Sequence, residues 1–119
     1  MHARLFDSHC HLDDARFDED REQLIASLPG QGIGACLTCG SDLSSSRAAL
    51  ELAKQYDFIY AAAGIHPHEA SKATDDDLAG VRTLLTHPKV VALGEIGLDF
   101  YYDFSPRETQ ESLLLAQLD

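Results

Sequence analysis

The sequence contains no apolar run long enough to cross a bilayer and no charged-then-apolar leader ahead of Leu5. A membrane-spanning helix needs about 20 consecutive apolar residues, and a secretory leader needs a basic start followed by an apolar stretch. We therefore expect neither membrane insertion nor secretion, and no membrane partner. A cytoplasmic location follows by default.

Cysteine is scarce, and its number is odd. The chain has 3 cysteines, Cys10, Cys36 and Cys39, which argues against a disulfide framework. Cys36 and Cys39 have the spacing of a zinc knuckle or a redox pair, but no second pair accompanies them, and residues three apart on a strand point to opposite faces. We expect packed thiols, with Cys10 turned away from the two histidines that flank it.

Basic residues are also few. The chain has 9 Lys and Arg against 20 Asp and Glu, for a formal net charge of −11. Nonspecific affinity for nucleic acid usually comes from Lys and Arg close to phosphates, and two bound divalent cations would offset only part of the deficit. The charge weakly disfavours a protein that wraps a duplex. It permits a metal site that reaches a phosphate at a strand end or in a small phosphoester.

What the sequence does contain is a regular alternation of strand and helix patterns. Its 119 residues, 45% of them hydrophobic, suit one globular domain at most. Strand centres recur about every 30 residues with helical segments between them, which favours parallel pairing and right-handed crossovers. The predicted strands cover residues 3–9, 33–39, 58–64 and 89–95. The predicted helices are residues 21–28, a helix capped at Asp42, a helix capped at Thr74, and a helix with Pro106 at its first position in a capping box from Ser105 to Glu108.

This alternation predicts an α/β fold made of the first four βα units of a (β/α)8 TIM barrel. A complete barrel has eight units and typically about 250 residues. Residues 1–119 would then be the N-terminal part of a single TIM-barrel hydrolase domain whose C-terminal half is absent.

The end of the chain leads to the same expectation. The last helix stops at Asp119 without a glycine cap and places two carboxylates at the negative end of its dipole. We expect a fragment of a longer, monomeric protein, with a dimeric half barrel as the less favoured case. The first and fourth strands would be unpaired edges through which the fragment could self-associate.

Histidines cluster where the first strand ends. Along the segment 7–11 the strand period of two puts His9 and His11 on one face, close enough to share a cation. Asp7 falls on that face too, and we expect its carboxylate to accept a hydrogen bond from a neighbouring imidazole, as carboxylates behind metal ligands do. The alternative is a pair of surface or core histidines that bind nothing.

Two further strands end in the same types of residue. His66 and His68 follow the third strand and Glu95 ends the fourth, and in a TIM barrel these positions meet at one face. His9 and His11 would hold one cation, and Glu95, the candidate catalytic residue, could bridge to a second through its two oxygens, so that a water between the ions attacks phosphorus. A single-ion site made of the same two histidines and Glu95 is the alternative.

The loop after the fourth strand carries secondary candidates. His68, Asp99 and Asp103 are expected on the same rim, where they could orient water or substrate, with Asp99 behind the metal ligands. The aromatic residues 100–102 could stack on bases, since an aromatic face accepts any base. We expect them rather to pack the loop over the barrel.

Four blocks of the sequence stand out together: Asp7-Ser-His9-Cys-His11-Leu-Asp13, Gly64-Ile-His66-Pro-His68, Gly94-Glu95-Ile-Gly-Leu-Asp99-Phe-Tyr-Tyr-Asp103, and Ser105-Pro106 followed by Gln110 and leucines. They extend over the whole chain and resemble the TatD family of metal-dependent deoxyribonucleases, in the amidohydrolase-like group of barrels. The resemblance implies a TIM-barrel hydrolase with a binuclear site, in which His9, His11 and Glu95 are metal ligands and His66 contacts substrate phosphate. It assigns the remaining ligands, two histidines and an aspartate, to later strands that this chain does not contain.

The sequence therefore predicts a hydrolase that uses two divalent metal ions, Mg, Mn or Zn, to cleave phosphodiester bonds, as a TatD-like deoxyribonuclease acting on DNA or a small phosphoester. His and carboxylate ligands are shared by several metals and do not choose among them. One alternative is an amidohydrolase that opens cyclic amides or lactones. That group often bridges its metals with a modified lysine on the fourth strand, where Lys89 stands at the wrong end. The other alternative is a catalytically inactive metal-binding fragment.

Overall fold

The computed structural model describes residues 4–119, which form one sheet of four parallel strands with helices in the crossovers. The strands lie in chain order, so each crossover returns to the neighbouring position. The predicted alternation of four βα units is confirmed. The strands are β1 (Leu5–Cys10), β2 (Ile33–Cys39), β3 (Ile59–Ala63) and β4 (Val90–Leu93).

Each strand is followed by an α-helix, and 3₁₀ helices lie in three of the connections. Two helices begin at the predicted caps: Asp42 Oδ1 accepts from the N–H of Ser45 at 2.7 Å, and Thr74 Oγ1 accepts from the N–H of Asp77 at 3.1 Å. None of the helices formed by residues 4–119 combines the length and apolar composition that a bilayer crossing requires. The bounds are α1 (Arg21–Ser27), α2 (Leu43–Gln55), α3 (Asp75–Leu84) and α4 (Arg107–Leu118), with 3₁₀ helices at Ala15–Phe17, Pro29–Gln31 and Pro67–Lys72.

The strands differ from their predicted bounds. Gly64 and Glu95 lie past the ends of β3 and β4, because the apolar character of the sequence continues beyond the last paired residue. β1 ends at Cys10, one residue later than predicted. Its predicted start, residue 3, lies outside the described residues.

The start of α4 also differs from the prediction. The helix begins at Arg107 with Pro106 at the N-cap position and without a side-chain cap, so the predicted capping box is wrong. Ser105 is buried, and its hydroxyl donates to the carbonyl of His68 at 3.1 Å and accepts from the N–H of Ser71 at 3.0 Å. The Ser105 hydroxyl therefore forms tertiary hydrogen bonds and does not cap the helix. The contact ties the loop before α4 to the third 3₁₀ helix.

The core lies between the sheet and the helices. Ala49, Leu52 and Ala53 form the buried stripe of α2, as predicted, and they belong to one apolar cluster with Ile25 of α1 and Ile59 of β3. The two edge strands are far more open, and exposure reaches 63% at Leu5, 60% at Phe6 and 56% at Val91. The apolar faces of the helices therefore cover the sheet from one side.

Candidate metal centre

Three potential metal ligands converge at the carboxyl ends of β1 and β4. Nε2 of His9 lies 3.2 Å from Nε2 of His11. The two oxygens of Glu95 lie 3.5 Å from Nε2 of His9 and 3.4 Å from Nε2 of His11. Residues that start from two opposite edges of the sheet thus direct a nitrogen, a nitrogen and a carboxylate at one point, within 4.8 Å of one another.

A backbone carbonyl fixes the orientation of His11. Nδ1 of His11 lies 3.0 Å from the carbonyl oxygen of Cys39, which can only accept. Nδ1 therefore carries the hydrogen, and Nε2 of the neutral ring keeps its lone pair, directed at His9 and Glu95. This is the support that metal-binding histidines usually receive from a second group.

Asp7 does not give that support, contrary to the sequence-based expectation. Within residues 4–119 its carboxylate Oδ1 accepts from the backbone N–H of His9 at 3.1 Å instead of from an imidazole. Asp side chains commonly accept a hydrogen bond from the backbone N–H two residues further along the chain, and Asp7 makes this local contact. Asp7 thus stabilises the chain at His9 and leaves ring orientation to other groups.

The end of β2 also holds Glu95. The N–H of Glu95 donates to the carbonyl of Gly40 at 2.8 Å, and the preceding Gly94 donates to the carbonyl of Ala63 at 3.0 Å; the Gly94–Glu95 peptide bond is cis. Two consecutive carbonyls, Cys39 and Gly40, therefore position two of the three candidate ligands. No side-chain pattern in the sequence indicates this support.

Two side chains fix the loop that follows His11. Thr38, fully buried on β2, accepts from the N–H of Leu12 through its hydroxyl at 3.1 Å. The guanidinium of Arg21 donates to the carbonyls of Leu12, Asp13 and Asp14 at 2.7, 3.1 and 2.8 Å. Sequence reasoning missed both residues. The alternation along β2 could have indicated Thr38, because it places this polar side chain on the face opposite to that of Leu37 and Cys39.

His66 lies in the cleft beside these ligands. Its Nδ1 accepts from the N–H of His68 at 3.1 Å, so the hydrogen of the neutral ring is on Nε2. Burial, and then the positive charge of nearby His68, lower the pKa of His66, so the ring is neutral at neutral pH and can donate a hydrogen bond. The cleft measures about 290 Å³ and is lined by His11, Asp14, Ser41, His66, His68, Glu69 and Glu95.

His68 and Asp99 form a pair on the same rim. Nε2 of His68 hydrogen-bonds Oδ2 of Asp99, while Oδ1 of Asp99 accepts from the N–H groups of Tyr101 and Tyr102 at 3.0 and 3.1 Å. The hydrogen bond from His68, and then that from Tyr102, lower the pKa of the Asp99 carboxyl. The sequence placed Asp99 behind the metal ligands; among the described residues it supports His68.

The loop aromatics are more exposed than expected. Tyr101 is 87% exposed and Tyr102 59%, so both side chains are largely open to solvent on these four βα units, and their packing over a complete barrel stays a prediction. Tyr102 stacks on Phe104 with ring centroids 5.3 Å apart, and Phe104 lies edge-on to His68 at 4.8 Å. Asp103, the other rim candidate, pairs with Arg107 at 2.9 Å and is held away from the cleft.

The cysteines behave as packed thiols, as predicted. Among residues 4–119, which include all three, Cys36 and Cys39 are buried and each carries a free thiol. Cys10 donates to the carbonyl of Leu37 at 3.3 Å, away from the histidine rings. Burial raises the pKa of Cys10 to about 12, so it stays protonated and unreactive at neutral pH.

The donor set fits a divalent cation. Four ligands placed tetrahedrally at about 2.1 Å from an ion are about 3.4 Å apart, and the three separations here are 3.2, 3.5 and 3.4 Å. Two imidazoles and one carboxylate are the protein ligands of many catalytic zinc sites and also suit other divalent metals. One such cluster is present within residues 4–119.

A parallel βα half sheet with these ligands at its carboxyl end agrees with the result of sequence comparison. Residues 6–119 match the family described as TatD related DNase, and the chain belongs to the TatD family. It is 40% identical over 114 residues to a Bacillus subtilis protein named "Uncharacterized metal-dependent hydrolase YabD", covering 96% of this chain and 45% of that protein. It is 37% identical over 114 residues to the Escherichia coli K12 "3'-5' ssDNA/RNA exonuclease TatD", covering 96% of this chain and 44% of the exonuclease.

Solved structures agree on the fold. The crystal structure of YjjV, a TatD homologue from Escherichia coli K12, superposes with a TM-score of 0.88 at 36% identity and covers 99% of this chain and 46% of that one. A TatD family hydrolase from Entamoeba histolytica, at 24% identity, gives a TM-score of 0.87 over 98% of this chain and 45% of that one. The fold is therefore the first four βα units of the TatD barrel, and the chain spans slightly less than half the length of the relatives it matches.

Proposed function

We propose that this chain supplies part of the active site of a metal-dependent hydrolase that cleaves phosphodiester bonds in nucleic acid. The observation that carries the proposal is the convergence of His9, His11 and Glu95, with separations of 3.2 to 3.5 Å. The names of two relatives, a metal-dependent hydrolase and a 3'-5' ssDNA/RNA exonuclease, support it. The predicted cytoplasmic location and monomeric state stay predictions.

Each residue has a defined task in this proposal. His9, His11 and Glu95 would hold a divalent cation, which, when bound, lowers the pKa of water and stabilises charge on phosphoryl oxygens. The carbonyls of Cys39 and Gly40 keep His11 and Glu95 aimed at one point. His66 would donate its Nε2 hydrogen to a phosphate oxygen, which a neutral ring with Nδ1 already engaged can do.

The proposal also concerns how many metal ions bind and which metal they are. The one cluster within residues 4–119 is sufficient for a first ion. Both Glu95 oxygens face this cluster, Oε1 near His9 and Oε2 near His11, so the second ion of the predicted pair, which Glu95 would help to hold, stays a prediction. Mg, Mn and Zn all remain candidates, since the ligand types suit each of them.

Charge and shape favour a strand end or a small phosphoester as substrate. The net charge of −11 opposes extended contact with phosphates, and Asp14, Glu69 and Glu95 add negative charge around the cleft. An open cleft of about 290 Å³ admits a terminal nucleotide more readily than a duplex.

The amidohydrolase alternative receives little support. Nζ of Lys89 donates to the carbonyls of Tyr56 and Asp57 at 3.2 and 3.1 Å and lies over the ring of Tyr60. Lys89 is thus engaged at the amino end of the sheet, opposite the ligands, and cannot bridge metals there. The alternative that this chain is a catalytically inactive fragment is tested by comparing its nuclease activity with that of the full-length gene product.

The nuclease proposal is tested with the full-length gene product and single-stranded DNA labelled at its 5' end, in the presence of Mg²⁺, Mn²⁺ or Zn²⁺. We expect shortening of the strand, and a loss of about 10²-fold or more when His9 and His11 are both replaced by Ala. His87→Ala is the matched control, because His87 precedes β4 at the opposite end of the sheet. Equal rates for wild type and the double variant would refute the site.

Metal binding can be measured separately, by titration calorimetry on both this chain and the full-length product. Loss of a group behind a ligand costs about 10–100-fold in affinity, so loss of the Glu95 ligand should cost more. We expect Glu95→Gln to weaken Mn²⁺ or Zn²⁺ binding by at least about 10²-fold, and Glu111→Gln, on the exposed face of α4, to leave it unchanged.

A further inference from the structure

The pair formed by His68 and Asp99 has no task in the function proposed so far, although it borders the same cleft. His68 lines that cleft together with His11, His66 and Glu95. Because Nε2 of His68 is engaged by Asp99, the ring nitrogen left for a substrate is Nδ1. The side chains of His68 and Asp99 are 30% and 20% exposed, so the pair is partly shielded yet reachable.

Asp99 is held more firmly than an ordinary loop carboxylate. Besides His68, the N–H groups of Tyr101 and Tyr102 donate to it. Gln110, 1% exposed on α4, accepts from the N–H of Asp99 at 2.7 Å and donates to its carbonyl at 3.1 Å. A carboxylate fixed through both its side chain and its backbone can hold an imidazole in one tautomer and one orientation.

The other histidines of the cleft are already committed. His9 and His11 direct Nε2 at each other and at Glu95. His66 uses Nδ1 to accept from the backbone of His68, and burial keeps its ring neutral. His68 is the histidine of the cleft whose carboxylate partner lies outside the candidate metal cluster.

We propose that His68 is the general acid that protonates the departing oxygen, with Asp99 as its positioning residue. The inference rests on the proposed phosphodiesterase function and adds a catalytic residue to it. Phosphoryl transfer to water leaves a sugar alkoxide, which is a poor leaving group unless a proton reaches it as the bond breaks.

Water forms a bond to phosphorus through its oxygen and releases one proton to solvent, while the bond between phosphorus and the departing oxygen breaks and its electron pair goes to that oxygen. The Nδ1 hydrogen of the His68 imidazolium is transferred to the same oxygen, which leaves as a hydroxyl group. His68 becomes neutral imidazole, still donating from Nε2 to Asp99, and regains its proton from solvent.

The test compares two substrates of the full-length gene product that differ in their need for a proton. A thymidine dinucleotide releases a basic sugar oxygen, whereas thymidine 5'-(p-nitrophenyl phosphate) releases p-nitrophenolate, a stable anion that leaves without protonation. We expect His68→Gln to lower kcat/KM for the dinucleotide by about 10²–10⁴-fold and for the nitrophenyl ester by less than about 5-fold. The ratio of the two rates is internal to one preparation, so a partly unfolded variant does not alter it.

Matched variants separate chemistry from structure. Asp99→Asn should shift the ratio in the same direction by a smaller factor. Asp103→Asn, in the same loop but paired with Arg107, and His87→Gln, at the far end of the sheet, should leave the ratio at its wild-type value.

Two results would overturn the inference, and they differ. If His68→Gln slows both substrates equally, His68 acts in binding or structure, the general-acid role is wrong and the phosphodiesterase proposal stands. If the wild-type protein cleaves neither substrate with Mg²⁺, Mn²⁺ or Zn²⁺, the proposed function fails and the inference fails with it.

Discussion

At the scale of single residues, the site depends on which nitrogen of each imidazole carries a hydrogen. His9, His11, His66 and Glu95 could be chosen from the sequence because each lies at or just past the end of an apolar strand, where TIM barrels gather functional groups. Their hydrogen-bond partners could not be chosen. The sequence pointed to Asp7 as the support for a ring, but the carbonyl of Cys39 supports His11. Every residue type has a backbone carbonyl, so a sequence pattern cannot indicate this contact.

Replacing Thr38 with Val should destabilise the protein. The hydroxyl of this fully buried residue accepts from the N–H of Leu12, and an isosteric Val leaves that buried N–H without a partner, at a cost of about 1–3 kcal/mol. Urea unfolding measures the change. Thr83→Val, on an exposed face of α3, should change the free energy of unfolding by less than about 0.5 kcal/mol, and similar values for the two variants would contradict the buried contact.

The Asp99 carboxylate should contribute to stability in a pH-dependent way. His68 and the N–H groups of Tyr102 and Tyr101 lower its folded-state pKa, so the stabilisation is complete above the unfolded pKa of about 3.9 and is lost as the pH falls through the folded value. The difference in unfolding free energy between wild type and Asp99→Asn should therefore be largest above about pH 5 and shrink below about pH 4. Urea titrations from pH 3 to pH 7 measure it. A difference that does not vary with pH would mean that the lowered pKa has no role in stability.

At the scale of secondary-structure elements, the carboxyl end of β2 is the part that organises the site. The carbonyls of its last residue, Cys39, and of the following Gly40 hold one candidate ligand each, and Ser46 of α2 lies directly behind Gly40. Strand and helix order followed from the alternation in the sequence. The start of α4 did not, because a Ser-Pro pattern suits a capping box, whereas the buried hydroxyl of Ser105 formed tertiary hydrogen bonds with the third 3₁₀ helix.

Gly40→Ala should weaken both the fold and the site. A Cβ at Gly40 would lie 2.1 Å from Oγ and 2.6 Å from Cα of Ser46, so strand and helix would have to separate, at a cost of about 1–3 kcal/mol. The carbonyls that position His11 and Glu95 would move with the strand, and calorimetry should show weaker Mn²⁺ or Zn²⁺ binding. Gly30→Ala is the control, because its Cβ would meet nothing within 4 Å. Unchanged metal affinity in Gly40→Ala would mean that β2 does not position the ligands.

At the scale of the whole molecule, residues 4–119 form an open sheet with two free edges. The relatives it matches are more than twice as long, and four βα units are too few to close a barrel. β1 and β4 are the edges, and apolar side chains such as Phe6 and Val91 stay exposed there at 60% and 56%. An open parallel edge with apolar side chains is a template for pairing with another chain.

As an isolated polypeptide, residues 1–119 should therefore self-associate. Sedimentation velocity should show species that grow with concentration, and Val91→Lys on β4 should reduce them, because charge on an edge strand opposes pairing. Leu115→Lys is the control: Leu115 is 68% exposed, but it lies on α4, where backbone groups are already paired. Identical distributions for wild type and Val91→Lys would argue against association through this edge.

The two carbonyls at the end of β2 affect which substitutions the site tolerates during evolution. No substitution of one amino acid for another removes a carbonyl oxygen. The hydrogen bond from His11 Nδ1 to the carbonyl of residue 39 is therefore kept when Cys39 is replaced by a residue of similar size. Substitutions that keep the size of this buried side chain would therefore leave the chemistry intact. The orientation of the ligands is inherited with the path of the main chain.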